Sequence, residues 1–401
     1  MTATNKSLLA MALGTFGLGM SEFVVMGILP FMAEDFRISI PEAGYFISAY
    51  AIGVCVGAPL VAIYLRRWPL KRLLSLLVGI MIFAAAAMAL CPTPDAGQGK
   101  GWHFWLMILF RFIAGTPHGA YFGVGAIVAD RICKEGKAAF AVAIICSGMT
   151  VANLVGIPLG TLLTSLYSWR LVFVMAGLVD IAAFLAILRW VPALTPSPDE
   201  GLRNAFRFLK SLAPWLLIGA TLMGNGGIFA WYSYISPTLT QLAGVPVSWL
   251  TFMMVLSGSG MVIGNLMGGR LSDRFGPGHT GRGIEIGIFS CLVLIALTAH
   301  HSWCLIPLMF LACGCLFAVS SPQQLLLLRF SKGGELMGGA MVQIAFNSGN
   351  AIGAWLGGLP IVESDPNTYH YPAAIGACLA AVGIICYVVF CHRYENRKMK
   401  N

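Results

Sequence analysis

Four side chains able to exchange or steer a proton lie inside otherwise apolar stretches of this 401-residue chain: Glu22, Arg111, His118 and Asp180. A charge at the centre of a bilayer costs about 2.5–3.5 kcal/mol even on lenient insertion scales, so a retained one faces a wet cavity or a partner. Glu22, near the middle of the first apolar run, reads in one of two ways. Either it is a coupling acid that holds a proton in one state and releases it in another, or it is a protonated acid that bonds a neighbouring helix and fixes packing. Arg111 keeps its charge and must be solvated or paired. It tunes a nearby acid, holds an anionic substrate group, or pairs with backbone carbonyls. His118, seven residues on and on the same face, either relays protons near neutral pH or satisfies a carbonyl freed by Pro117. Asp180, central in the sixth run, makes a scaffold hydrogen bond or contacts substrate.

Uncharged polar residues form a second group. Gln343, Asn347 and Asn350 follow an i, i+4, i+7 ladder and share one helical face. They can hydrogen-bond a polar substrate, or glue one helix to another in lipid. Asn225, Phe229, Trp231, Tyr232 and Tyr234 suit stacking on sugar rings or flat aromatics, although aromatics near a membrane end also form interface belts, as Tyr232 and Tyr234 would. Glycine ladders (Gly115, Gly119, Gly123; Gly260, Gly264, Gly268; Gly349, Gly353, Gly357) permit close helix contact and read either as sliding surfaces or as static packing. Gly156 and Pro158 predict a bend, because proline removes a backbone donor.

What must position these residues follows from composition. The chain is 58% hydrophobic and 10% charged, far from the roughly 45–50% and 25% of soluble domains. It is an integral membrane protein; soluble enzymes and nucleic-acid-binding proteins are excluded, and the net charge of +9 is a topology signal. Most of the eleven Cys fall inside apolar runs, where a thiol packs as a small apolar residue, so they do not form a disulfide framework. Cys313 and Cys315 point to different faces of a helix and read as packing rather than as a metal pair. There is no G-x-S-x-G, H-E-x-x-H or Walker sequence, which leaves a membrane-embedded enzyme a remote alternative and gives no reason to expect a metal or cofactor.

With about 20 apolar residues per crossing, twelve spans are predicted: 8–32, 43–65, 70–91, 103–129, 138–164, 170–190, 213–236, 249–269, 283–299, 304–328, 337–360 and 372–391. The first begins without a cleavage site and contains Glu22, so it is a span rather than a signal peptide. Basic residues then fall on the side of the termini, except Arg37, Lys100, Arg170 and the intramembrane Arg111, while Glu34, Asp35, Glu42, Asp95, Glu363 and Asp365 lie on the other side. That asymmetry makes both termini cytoplasmic. Residues 192–212 form the longest loop and divide a half at 1–191 from a half at 213–401. Its start is stiffened by Pro192, Pro196 and Pro198, and Leu202–Leu212 alternates basic and apolar residues as a short surface helix would.

The halves are related. At an offset of 207, Gly17, Gly19 and Pro30 meet Gly224, Gly226 and Pro237, and Gly57, Arg67 and Trp68 meet Gly264, Arg274 and Phe275. At 197, Asn153, Gly156 and Gly160 meet Asn350, Gly353 and Gly357. Two six-helix halves in parallel orientation are the plan of a rocker-type carrier, whose site is expected near midplane between them.

The run Gly264-Asn-Leu-Met-Gly268-Gly-Arg270-Leu-Ser-Asp273-Arg274-Phe-Gly276 after span 8 resembles the loop signature of the major facilitator superfamily. The first-half counterpart, Gly57 to Pro69, is degenerate, with Arg66 and Pro69 in the acid and glycine slots. Arg111-Phe-Ile-Ala-Gly115-Thr-Pro117-His118-Gly119-Ala120 matches the family's span-4 motif, and Gly156-Ile-Pro158-Leu-Gly160 resembles a shortened antiporter signature. Together with Gly17-Leu-Gly19-Met-Ser-Glu22-Phe, the chain is similar to the arabinose-efflux-permease-like branch of the twelve-span drug:proton antiporters. The resemblance implies an all-α membrane fold of two pseudo-symmetric six-helix halves, with Glu22 as coupling acid and Arg111 tuning it. It implies gating roles for the signature residues, and a scaffold role for Asp180, since span 6 packs outside the cavity in this family. The function expected is proton-coupled efflux of a small sugar-like or drug-like solute by a monomer in a bacterial cytoplasmic membrane. Its partners are protons, the solute and lipid. Proton-coupled uptake and facilitated diffusion are the alternatives within carriers.

Overall fold

The computed structural model describes residues 3–65, 67–94, 101–133, 138–195, 207–331 and 335–395. Within hydrocarbon every backbone N–H and C=O must be satisfied internally, so long apolar runs become helices. In the first half these are α1 (Ala3–Phe36), α2 (Ile40–Tyr64), α3 (Leu70–Ala89), α4 (Trp102–Gly115), α5 (His118–Ile132), α6 (Ala138–Val151), α7 (Ile157–Leu166) and α8 (Arg170–Trp190). In the second half they are α9 (Leu212–Tyr232), α10 (Leu250–Phe275), α11 (Pro277–Thr298), α12 (Ser302–Ala318), α13 (Ser320–Phe330), α14 (Glu335–Gly358) and α15 (Tyr371–Phe390). Eleven segments among the described residues are long and apolar enough to cross a membrane. The remaining predicted span, the eleventh, is α14, which has the length at 24 residues, but Gln343, Asn347, Asn350 and its glycines dilute its hydropathy.

Three spans depart from continuous helices. The fourth breaks at Thr116 and Pro117 into α4 and α5, because Pro117 cannot donate to the helical ladder. The tenth breaks at Val319, with Pro322 in the first turn of α13. The fifth, where a bend is expected, passes through a π-turn at Ala152–Gly156 that leads into Pro158 in the first turn of α7. The signature residues Gly264, Gly268, Arg270 and Arg274 sit on α10 rather than in a loop, since the helix continues to Phe275. It ends at Gly276, whose φ of +82° suits a residue without a Cβ. The Asp273 side chain, Arg66 and linker residues 196–206 lie outside the described residues. Of the expected surface helix, Arg207–Lys210 is a single 3₁₀ turn.

Two compact units are found: Met1–Ile38 with Ala49–Glu200, and Ser39–Ser48 with Gly201–Asn401. Each contains the same kind of seam. In the first, Gly53 and Gly57 of α2 lie on the carbonyls of Phe112 and Thr116, and Gly115 lies on that of Tyr50. In the second, Gly260, Gly264 and Gly268 of α10 lie on Phe310, Gly314 and Ala318. Gly53 and Gly57 are the 207-residue counterparts of Gly260 and Gly264, so the repeat is written into backbone packing. A second seam sets Gly349, Gly353 and Gly357 of α14 against the α9 carbonyls of Leu222, Gly226 and Ala230. The first unit's core gathers Leu8, Met11, Leu74, Leu77, Tyr121, Val128 and Ile187 around α1, α3, α5 and α8.

Candidate functional site in the first unit

Four elements converge on Glu22. The carboxyl comes from α1, where the side chain is buried, and Nδ1 of His118 approaches it at 3.7 Å. His118 opens α5 just after Pro117, so the break in the fourth span sets the direction of the imidazole. Nδ1 also lies 2.9 Å from the Tyr50 hydroxyl of α2, with the two rings edge to face at 82°. The other face of Tyr50 carries Arg111 of α4, whose Cζ is 4.7 Å from the ring centroid. Arg111 is fully buried, donates through Nη1 to the Ser21 carbonyl at 2.6 Å, and interacts electrostatically with Glu22. It thus grips the same turn of α1 that carries the acid.

This arrangement joins two of the readings for Arg111: a backbone carbonyl anchors it while its charge acts on Glu22. His118 is engaged by a hydroxyl and a carboxyl. Tyr50, which completes the cluster, is invisible to a search for charge because hydropathy counts it among the apolar residues; only its place across from Arg111 and His118 reveals it. In neutral His118 an unprotonated Nδ1 accepts a hydrogen bond from the Tyr50 hydroxyl, whereas a protonated Nδ1–H donates, to Tyr50 or to Glu22. The hydroxyl can follow either state by rotating.

Asp180 is buried on α8, one helix away, and faces Gly17 of α1. Its Oδ1 makes no hydrogen bond, so the expected scaffold bond is not found at that atom. Gly156 and Gly160 let α7 close on α1 beside Met20 and Val24, and Pro158 is buried between them.

The predicted substrate residues all fall in the second unit. On α9, Asn225 is buried with neither amide atom hydrogen-bonded, and Trp231 is buried with its Nε1 unpaired. Phe229 packs edge to face with Tyr232 at 5.9 Å. Tyr232 and Tyr234 are not interface aromatics: both are buried, and Tyr234 donates to the Ala354 carbonyl at 2.7 Å. On α14, Asn347 donates through Nδ2 to the Gln343 carbonyl at 3.0 Å and leaves Oδ1 unpaired, while Asn350 is buried one residue from the glycine seam. Unbonded amide and indole atoms on adjacent helices can take a ligand with both donors and acceptors.

Sequence reasoning misses a further acid, Glu285 of α11. It is fully buried and neither carboxyl oxygen is hydrogen-bonded. The span predicted from residue 283 places Glu285 in its first turn; α11 in fact begins at Pro277, which puts the acid two turns inside. Neither a cluster of metal-ligating side chains nor a disulfide occurs among the described residues.

A sequence profile of the Major Facilitator Superfamily matches residues 11–341. AraJ of Escherichia coli (strain K12) is 41% identical over 393 residues, 98% of this chain and 96% of that protein. A chloramphenicol resistance protein of Streptomyces lividans is 31% identical over 355 residues, 86% of each chain. The solved structure of the nucleoside transporter NupG matches with a TM-score of 0.74 over 97% of this chain and 100% of that one, at 13% identity, a likeness of fold alone.

Proposed function

Because the chain belongs to the major facilitator superfamily, we propose that it is a proton-coupled secondary transporter that exports a small organic solute by alternating access. The observation that carries this reading is the buried Glu22, His118, Tyr50 and Arg111 cluster, in which an acid, a base, a bridging hydroxyl and a fixed cation share one site. In the proposed cycle Glu22 is the proton carrier. His118 exchanges the proton with it through Nδ1, Tyr50 holds the imidazole in place, and Arg111 favours the anionic carboxylate once the proton leaves. Neutralising Arg111 would remove that drive, and breaking its grip on Ser21 would move Glu22.

The outward direction is supported by the span-4 and span-5 motifs and by a relative named for chloramphenicol resistance. Asn225, Phe229, Trp231, Gln343, Asn347 and Asn350 are proposed to hold the solute, with the unbonded Asn225 amide and Trp231 Nε1 as its hydrogen-bonding partners. Arg270, Arg274 and Gly276 are proposed as gating residues at the end of α10. The carrier is proposed to act as a monomer with cytoplasmic termini in a bacterial inner membrane.

Reconstitution into liposomes that contain a pH-sensitive dye tests the reading. Pools of sugars, nucleosides, amino acids and cationic drugs are added under an imposed proton gradient, with Glu22→Gln in parallel. Substrate-dependent proton movement that vanishes in Glu22→Gln is expected. Substrate movement without proton flux, equal in both proteins, makes this a uniporter and Glu22 a packing residue.

A further inference from the structure

Gly17 and Gly224 are partners in the internal repeat, and each faces a buried carboxylic acid. A Cβ at Gly17 would stand 3.0 Å from Cγ of Asp180, and one at Gly224 would stand 2.5 Å from Cδ of Glu285. The acids are supplied differently. In the first unit the helix that brings the acid to Gly17 is α8, the sixth span. In the second unit the sixth-span equivalent, α15, brings Gly383 to Gly224, and the room this leaves is filled by Glu285 from α11: a Cβ at Gly383 would lie 2.8 Å from its Oε1. Both halves therefore keep one carboxyl against the corresponding glycine of their first span.

Among the described residues no donor reaches either carboxyl oxygen of Glu285. From α9 it meets Gly224 and the neighbouring Ala220 turn; from α15, Gly383, Cys386 and Tyr387; from α12, Cys315; and Gln323 of α13 stands beside the Tyr387 hydroxyl. Arg282, one turn back on α11, acts on Cys391 instead. An ion in this position would cost several kcal/mol with nothing to offset it. Binding one proton from the aqueous phase turns the carboxylate into a neutral acid and removes that cost.

We propose that Glu285 is a second proton-binding site of the carrier, in the second half, separate from Glu22 and occupied in this conformation. Its role does not depend on proton coupling through Glu22. Only glycine at 224 and 383 leaves the carboxyl its space, so proton occupancy is tied to the packing of α9, α11 and α15.

Infrared spectroscopy of the full-length protein in liposomes at neutral pH reads this directly, because a carboxylic acid and a carboxylate have separate stretching bands. Glu285→Gln, an isosteric neutral change, is expected to remove one deuterium-sensitive carboxylic-acid band that persists in Glu22→Gln. Loss of carboxylate absorption with all carboxylic-acid bands intact overturns the proposal. A second measurement needs no change at Glu285: in Glu22→Gln protein carrying ¹³C-labelled glutamate, a protonated glutamate band is expected to remain. Its absence overturns the proposal equally. Glu22→Gln proteins that retain coupled transport would sink the coupling role of Glu22 while leaving both bands to be read, so the two hypotheses fail separately.

Discussion

Gly264→Ala and Gly79→Ala add the same methyl group to two membrane helices and are expected to move stability in opposite directions. At Gly264 the new Cβ would lie 2.5 Å from the carbonyl carbon and 2.7 Å from the α-carbon of Gly314. Both atoms are backbone, so no rotamer change can relieve the overlap. Widening the 2.7 Å approach to an ordinary 3.4 Å needs 0.7 Å of separation between α10 and α12, and the carbonyl demands more. The same displacement loosens Gly260 and Gly268, one turn either side. Overpacking of a well-filled interface costs about 1–3 kcal/mol, and the loosening of the flanking turns places Gly264→Ala near the upper end. At Gly79, on α3, a Cβ meets nothing within 4 Å. There the gain in helix propensity alone is expected, about 0.5–1 kcal/mol of stabilisation. Unfolding in mixed micelles, followed by circular dichroism and extrapolated to zero denaturant, measures both. Shifts of the same sign and similar size in the two variants would refute the claim that α10 and α12 meet backbone to backbone.

Tyr50→Phe keeps the ring under Arg111 but removes the hydroxyl from His118 Nδ1. A hydrogen bond to an ionising group is worth about 1.5 kcal/mol, so substrate-driven proton flux is expected to slow about tenfold; an unchanged rate means the hydroxyl is idle. Tyr234→Phe leaves the Ala354 carbonyl without its buried donor and is expected to cost about 1 kcal/mol in the same unfolding assay, with no effect on proton flux. Beyond the end of α3, burial pushes the Cys91 thiol up to about 11, with Arg170 pulling it partly back. Since thiolate is the reactive form, about one molecule in ten thousand is reactive at pH 7. Maleimide is expected to label the buried Cys91 only after unfolding, and mass spectrometry showing Cys91 modified as fast in the folded protein as in the denatured one would contradict this.

Span number and the glycine seams of α10 and α14 were legible in the sequence because each is a property of one helix, an apolar length or a fourfold spacing of glycine, whereas in the first half the seam joins Gly53, Gly57 and Gly115, of which the expected ladder of Gly115, Gly119 and Gly123 supplies one. Glu22, Arg111 and His118 were found for the same reason, as polar residues set in apolar runs. What brings them together was not legible, because it depends on three helices meeting and on a tyrosine that hydropathy conceals. The break at Val319 was missed since Pro322 sits where a helix tolerates proline, in a first turn. Tyr232 and Tyr234 stood open between a stacking role and an interface belt because they lie near a predicted span end; the chain continues through Ile235–Pro237 and a π-turn at Thr238–Leu242, and both rings are buried. Glu285 was lost to a misplaced start of one helix, at residue 283 instead of Pro277.

The paired acids bear on the ancestry of the chain. Gly53 and Gly57 have stayed in register with Gly260 and Gly264, whereas the carboxyl beside Gly17 and the one beside Gly224 come from different columns of the repeat. At the repeat's offsets of 207 and 197, Asp180 meets Tyr387 or Ala377 and Glu285 meets Val78 or Met88, so an alignment of the halves pairs neither acid with another. In space the two match: the repeat sets a carboxyl against the corresponding glycine of each half without repeating the residue that bears it.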